Sequence, residues 1–158
     1  MPEAVPEREE QMERGNLSNV VMPRLLIVFE GAIGTLPGES VKAAEKLARK
    51  GKWGEVAGMY VLDKLIMAQM LRVVRNFGMN LDIVTWLGYD MAQEVERRMD
   101  EENIPVHGVF TSTPDMLARE LAYMPDVAWV YDPDPSHVFT FGRRGVLLKS
   151  AAQIGRGN

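Results

Sequence analysis

No cysteine occurs in the 158 residues, and histidine occurs twice, as His107 and His137. The first absence removes disulfides, thiolate metal sites and a cysteine nucleophile, and it suits a reducing compartment, with the cytoplasm as the expected location. The second leaves too few imidazoles for a histidine-built zinc site, and no Ser-His-Asp order stands out. There is no basic excess, because 18 Lys and Arg stand against 22 Asp and Glu for a net charge of -4. Outside the short Arg143, Arg144, Lys149, Arg156 cluster, read as a solvated edge, nothing offers the cationic face that a nucleic acid requires. No long apolar run is present either: the most apolar stretch, Trp53 to Phe77, is broken by Asp63, Lys64, Gln69, Arg72 and Arg75, so no membrane span is expected. The first residues lack a basic stretch followed by an apolar one, which argues against a secretory signal. Gly31, Gly34 and Gly38 do not make G-x-G-x-x-G, and no acidic residue ends the second strand, which removes a nicotinamide or flavin role.

What is present is enough apolar residue, 46% of the chain, to bury one core. Residues 1–22 read as an acidic, flexible tail, since Met1 to Asn19 holds five Glu and two Arg, a net -3. Residues 23–158 read as a single domain.

Within that domain "RLLIVF" is a continuous apolar run, the pattern of a strand covered on both faces, and the Gly31, Gly34, Pro37, Gly38 turn follows it. Ser40 is placed to cap a helix carrying Val41, Ala44, Leu47 and Ala48, closed by Gly51. One longer helix is expected from Trp53 to Phe77, stopped by Gly78 and apolar round so much of its circumference that it is either covered in part by a second copy or another protein or wedged inside its own domain. Asp63 falls on its apolar arc, as a buried partner for an arginine of a neighbouring copy or as an exposed residue on a misdrawn arc. "LDIVTWL", "PVHGVFTS", "VAWVY" and "GVLL" are the later strands. Asp90 to Asn103 is a helix between the first two of these, Thr113-Pro114 is the N-cap and first position of the next, and "DPDPSH" is a loop. Strands alternating with helices imply an α/β three-layer sandwich around a mostly parallel five-stranded sheet, without a large cap domain. Its ligands belong at the carboxyl ends of the strands.

Those strand-end loops resemble the haloacid dehalogenase (HAD) superfamily from Leu25 to about Leu148. "VFEGAIGTL" is similar to the first motif, Asp-x-Asp-Gly-Thr, with Gly34 and Thr35 as its Gly-Thr. "DIVTWLGYD" is similar to the second, with Thr85 as the phosphate-binding hydroxyl, and "VAWVYDPDP" to the acidic fourth, with Asp132 in the Mg2+-ligand position. The short form is similar to small HAD-type proteins of actinobacteria and their phages. The resemblance implies Mg2+ as cofactor and a small phosphorylated molecule as ligand. The departures are chemical. Aligned on Phe29, Glu30 takes the nucleophile position and Ala32 that of the acid/base. Aligned on Gly34-Thr35, the positions become Gly31 and Ile33. No cation precedes the helix after the third strand, where the sequence reads Ser112-Thr113-Pro114-Asp115, and Arg119 lies a turn further on. The expectation is a HAD-like pseudoenzyme that binds Mg2+ and phosphate with phosphotransfer reduced or lost.

The residues themselves carry these roles with ordinary alternatives beside them. Glu30 is a metal ligand, a catalytic carboxylate or a helix cap; Asp132 and Asp134 are metal ligands with Glu30 or turn formers between prolines. Thr85 is a phosphate donor or simply a β-branched strand residue. Ser112 and Thr113 bind phosphate at a helix start or cap that helix. His137, facing the cleft, is the candidate acid/base. The 11 methionines are core filler or a contact surface. Two rival functions stand beside the first: a non-catalytic, phage-type interaction module that uses the tail and the 53–77 helix, and an active phosphohydrolase in which Glu30 replaces the usual Asp.

Overall fold

The computed structural model describes residues 22–148; the acidic tail and the Lys149 and Arg156 part of the basic cluster lie outside the described residues. Among the described residues seven strands, β1 (Arg24–Val28), β2 (Gly34–Thr35), β3 (Val61–Leu62), β4 (Asn80–Thr85), β5 (Gly108–Thr111), β6 (Val127–Asp132) and β7 (Gly145–Leu147), are interspersed with six α-helices. The helices are α1 (Val41–Arg49), α2 (Trp53–Met59), α3 (Lys64–Phe77), α4 (Tyr89–Glu101), α5 (Pro114–Glu120) and α6 (Pro135–Phe141). Five strands form one sheet in the order β5-β4-β1-β6-β7, and every pairing in it is parallel.

The apolar run of β1 explains its central place. Leu25, Leu26, Ile27 and Val28 are all at 0% exposure, and the alternation of side chains sends Leu25 and Ile27 to one face and Leu26 and Val28 to the other. Each such burial is worth roughly 2 kcal/mol relative to an exposed position. The first face is covered by the helices before β5, with Met67, Met70, Met91 and Met99 packed into it as filler. The second is covered by α5 and α6 through Leu117, Leu121 and Phe141. The result is the Rossmann-like three-layer sandwich that the alternation of elements predicts.

The chain steps from β1 to β4 and β5 in one direction and from β6 to β7 in the other. The strand order therefore reverses between β1 and β6, the position at which open α/β sheets leave a crevice at their carboxyl edge.

Four local expectations are corrected. The single helix from Trp53 to Phe77 is two helices, α2 and α3, separated by β3. Leu62 and Val61 pair antiparallel with Gly34 and Thr35, and the Asp63 amide donates to the Ile33 carbonyl at 2.7 Å. A pairing partner distant in sequence thus outcompetes the helical hydrogen bonds of residues 60–63. Asp63 is then neither a buried ion-pair partner nor a stray exposed residue: its Oδ1 accepts the Ile66 amide at 3.0 Å and caps α3, while Gly78 closes that helix at φ 62. Ser40 makes no side-chain cap, because a 3-10 turn over Gly38–Ser40 leads straight into α1. The loop expected over "DPDPSH", residues 132–137, gives way at Pro135 to α6, with Asp134 as its N-cap and Pro135 in its first turn. Thr113 caps α5 as expected, accepting the Met116 amide at 3.2 Å.

Candidate functional site

Phe29 to Gly34 form a tight turn after β1, with the Ala32 and Gly34 amides both donating to the Phe29 carbonyl, at 3.3 and 2.9 Å. That turn projects Glu30 sideways to the end of β4. The Thr85 hydroxyl donates to Glu30 Oε2 at 2.5 Å and the Trp86 amide to Oε1 at 2.8 Å. Glu30 therefore caps the end of a strand, not the helix that follows it in sequence.

On the other side of β1, the buried Asp132 at the end of β6 accepts the Asp134 amide on Oδ1 at 2.8 Å and meets His137 Nδ1 with Oδ2 at 2.9 Å. Asp134 uses Oδ1 on the Ser136 amide and hydroxyl, at 2.9 and 2.7 Å, and stands 3.4 Å from His137 Nε2 with Oδ2. The imidazole is bracketed by two carboxylates and lies edge-on to the Trp86 ring, their centroids 5.8 Å apart. Phe141 stacks against the same indole at 6.4 Å.

The two halves touch at the strand reversal: a Cβ at Gly31 would stand 3.2 Å from Pro133 Cγ. Burial holds the Glu30 carboxyl above its ordinary value, and the nearby charge of Asp132 pushes the same way, against the hydrogen bonds from Thr85 and Trp86. Burial likewise raises Asp132, opposed by the Asp134 amide and His137. The exposed Asp134 is lowered, mainly by its bonds from Ser136. Among the described residues no Lys or Arg pairs with any of the three carboxylates, and His137 is their one basic partner.

The expected phosphate contacts are already occupied inside the protein. The Thr85 hydroxyl proton goes to Glu30. Ser112 donates to Glu120 Oε1 at 2.7 Å, and the Thr113 oxygen caps α5. The Gly34 amide is spent on Phe29, and the exposed Thr35 lies in the two-stranded antiparallel pair β2–β3. Glycine is required at 34 by packing, since a Cβ there would come within 2.7 Å of the Phe29 ring. Arg119 is solvent-exposed on α5.

A divalent-ion test gives a partial fit. Among the described residues no group of three His, Asp or Glu side chains is placed to hold an ion. Two carboxylates, Glu30 and Asp132, remain as neighbours whose charged forms are disfavoured by burial, and Mg2+ is commonly held by one or two carboxylates with ligand phosphate and water completing its shell. Asp134 is committed to its cap.

Two residues at the site were not singled out by their sequence context. Trp86 reads as a strand residue, yet its amide and ring touch both halves of the site. Tyr60 reads as part of an apolar helical arc, yet its hydroxyl lies within electrostatic reach of Glu30. No local signal marks either role.

Fold and site together define an α/β sandwich of Rossmann-like form with an acidic cluster at its strand reversal. Comparisons with models of known families, with curated proteins and with solved structures gave no match.

Proposed function

We propose that this is a HAD-like binding protein that takes Mg2+ together with a small phosphorylated ligand between Glu30 and Asp132, with phosphoryl transfer reduced or lost. The observation that carries the reading is the approach of the half-buried Glu30, just after β1, and the buried Asp132, at the end of the adjacent parallel strand β6, at the strand reversal. Mg2+ would neutralise their charge and offer its remaining positions to phosphate oxygens. Glu30 and Asp132 would hold it, Thr85 and the Trp86 amide would fix the orientation of Glu30, and His137 would fix that of Asp132. Reduced turnover would follow from the chain itself: Ala32 or Ile33 stands where an acid/base is needed, and among the described residues no lysine or arginine is bonded to the acidic cluster to balance developing phosphoryl charge.

Titration calorimetry of the full chain with Mg2+, alone and with inorganic phosphate, tests this. Binding by the wild type that is lost in Glu30→Gln and in Asp132→Asn is the expected result, and absence of any Mg2+-dependent heat in the wild type would sink it. Hydrolysis of a generic phosphate ester, abolished by Glu30→Gln, would instead establish an active phosphohydrolase.

A second reading, a protein-interaction module, is favoured by Val61 and Leu65, which are 57% and 63% exposed beside each other in sequence at β3 and the start of α3. Its surface would be this corner of the molecule, since residues 53–77 are not one helix.

A further inference from the structure

We infer that the amino edge of the sheet carries a second binding site, which takes a small monocarboxylate with an apolar body between α3 and the entries to β4 and β5. It lies at the opposite edge from the acidic cluster and does not rest on the Mg2+ and phosphate reading.

A groove of about 380 Å3 opens there, a size that suits a small molecule. Its walls come from the last turns of α3, from the Met79–Leu81 segment that enters β4, and from the Pro105–His107 segment that enters β5. These segments meet because β4 and β5 are parallel neighbours entered at the same edge, where the His107 amide donates to the Leu81 carbonyl at 2.7 Å. Leu71, Val74, Met79 and Val106 are partly buried against the core and line the groove with what remains exposed. An apolar body fits that wall.

Charge decides the head group. Arg75, in the last turn of α3, lines the groove and makes no ion pair or side-chain hydrogen bond among the described residues. His107 lines the same groove and is held from behind. Its Nδ1 meets Oδ1 of the buried Asp82 at 2.9 Å, and Asp82 Oδ2 receives Arg24 at 2.7 Å. That clamp leaves Nε2 as the ring nitrogen without a partner among the described residues. With the ring protonated both nitrogens donate, Nδ1 to Asp82 and Nε2 to an incoming oxygen. Among the described residues no Asp or Glu lines this groove. Two other grooves, by contrast, are lined by Glu55, Asp90 and Glu94 and by Glu96 and Asp100. In a chain of net charge -4, a groove with an unpaired guanidinium and no carboxylate is complementary to an anion. A carboxylate is the monoanion whose two oxygens match the guanidinium fork.

The test is calorimetry of the full chain, wild type and Arg75→Gln, with octanoate, octanol and acetate, alongside thermal unfolding without ligand and methyl NMR. The wild type should bind octanoate about tenfold more tightly than octanol, which lacks the charge, or acetate, which lacks the chain. Arg75→Gln should keep its Tm, weaken octanoate about tenfold and leave octanol unchanged. The Val74 and Val106 methyl signals should move as octanoate is added. No octanoate binding by the wild type, octanol bound as tightly as octanoate, an unchanged octanoate affinity in Arg75→Gln, or methyl shifts that leave Val74 and Val106 untouched would each overturn the proposal, whatever the outcome with Mg2+.

Discussion

At the amino end of the sheet, Asp82 receives Arg24 Nη1 at 2.7 Å and His107 Nδ1 at 2.9 Å, and Arg24 also reaches Asp126 at 2.7 Å. At the carboxyl end, among the described residues, Glu30 and Asp132 have one imidazole and no guanidinium bonded to them. One acidic cluster is neutralised by its own chain, and the other is left short of positive charge. The first has the marks of a clamp joining β1, β4 and the approach to β6. The second has stored a cost that an ion or ligand would relieve.

Removing the cation from the balanced end should have the largest effect. Arg24→Met leaves Asp82, whose side chain is 3% exposed, with His107 as its one remaining side-chain partner among the described residues, and should cost about 3 kcal/mol in denaturant unfolding. Next comes Arg98→Met, which removes two charge-assisted bonds to carbonyls. It should cost about 2 kcal/mol in denaturant unfolding.

Acid and base should separate the two ends by sign. Asp126 is lowered chiefly by its bond from Arg24, so its contribution is present above the ordinary aspartate range and is lost as the pH falls through its lowered value. Glu30 is raised, so its contribution is present below the ordinary glutamate value and is lost as the pH rises through its raised one. Glu30→Gln should therefore be more stable than the wild type at neutral pH, with the difference vanishing in acid, as followed by Tm from about pH 3 to pH 8. An equal Tm at both extremes would erase the contrast between the ends. The smallest effect is expected of Leu65→Glu, since Leu65 is 63% exposed. Stability should change by less than about 0.5 kcal/mol, Mg2+ binding should persist, and any self-association seen by light scattering should be lost only if this corner is a contact surface.

Much of the fold was legible because its signals are local. Leu25 to Val28 announce a strand covered on both faces, and Thr113-Pro114 announce a helix start. The division of residues 53–77 was hidden because Val61 and Leu62 are apolar in a helix and in a strand alike, and only their pairing with Gly34 and Thr35 decides. At the site, Glu30, Thr85, Asp132 and His137 were legible from strand-end position and side-chain chemistry, and the structure brings them together around β1. Ser112 and Thr113 were equally plausible on those grounds, but their hydroxyls are committed to Glu120 and to the α5 cap.

The sequence by itself determined the alternation of strands and helices, the place of β1 and the acidic character of the strand ends, because periodicity and residue type act over a few neighbours. Only the tertiary structure decided which protons those acids receive. Hydrogen-bond commitment depends on groups brought together from separate strands and helices, and no local pattern encodes that meeting.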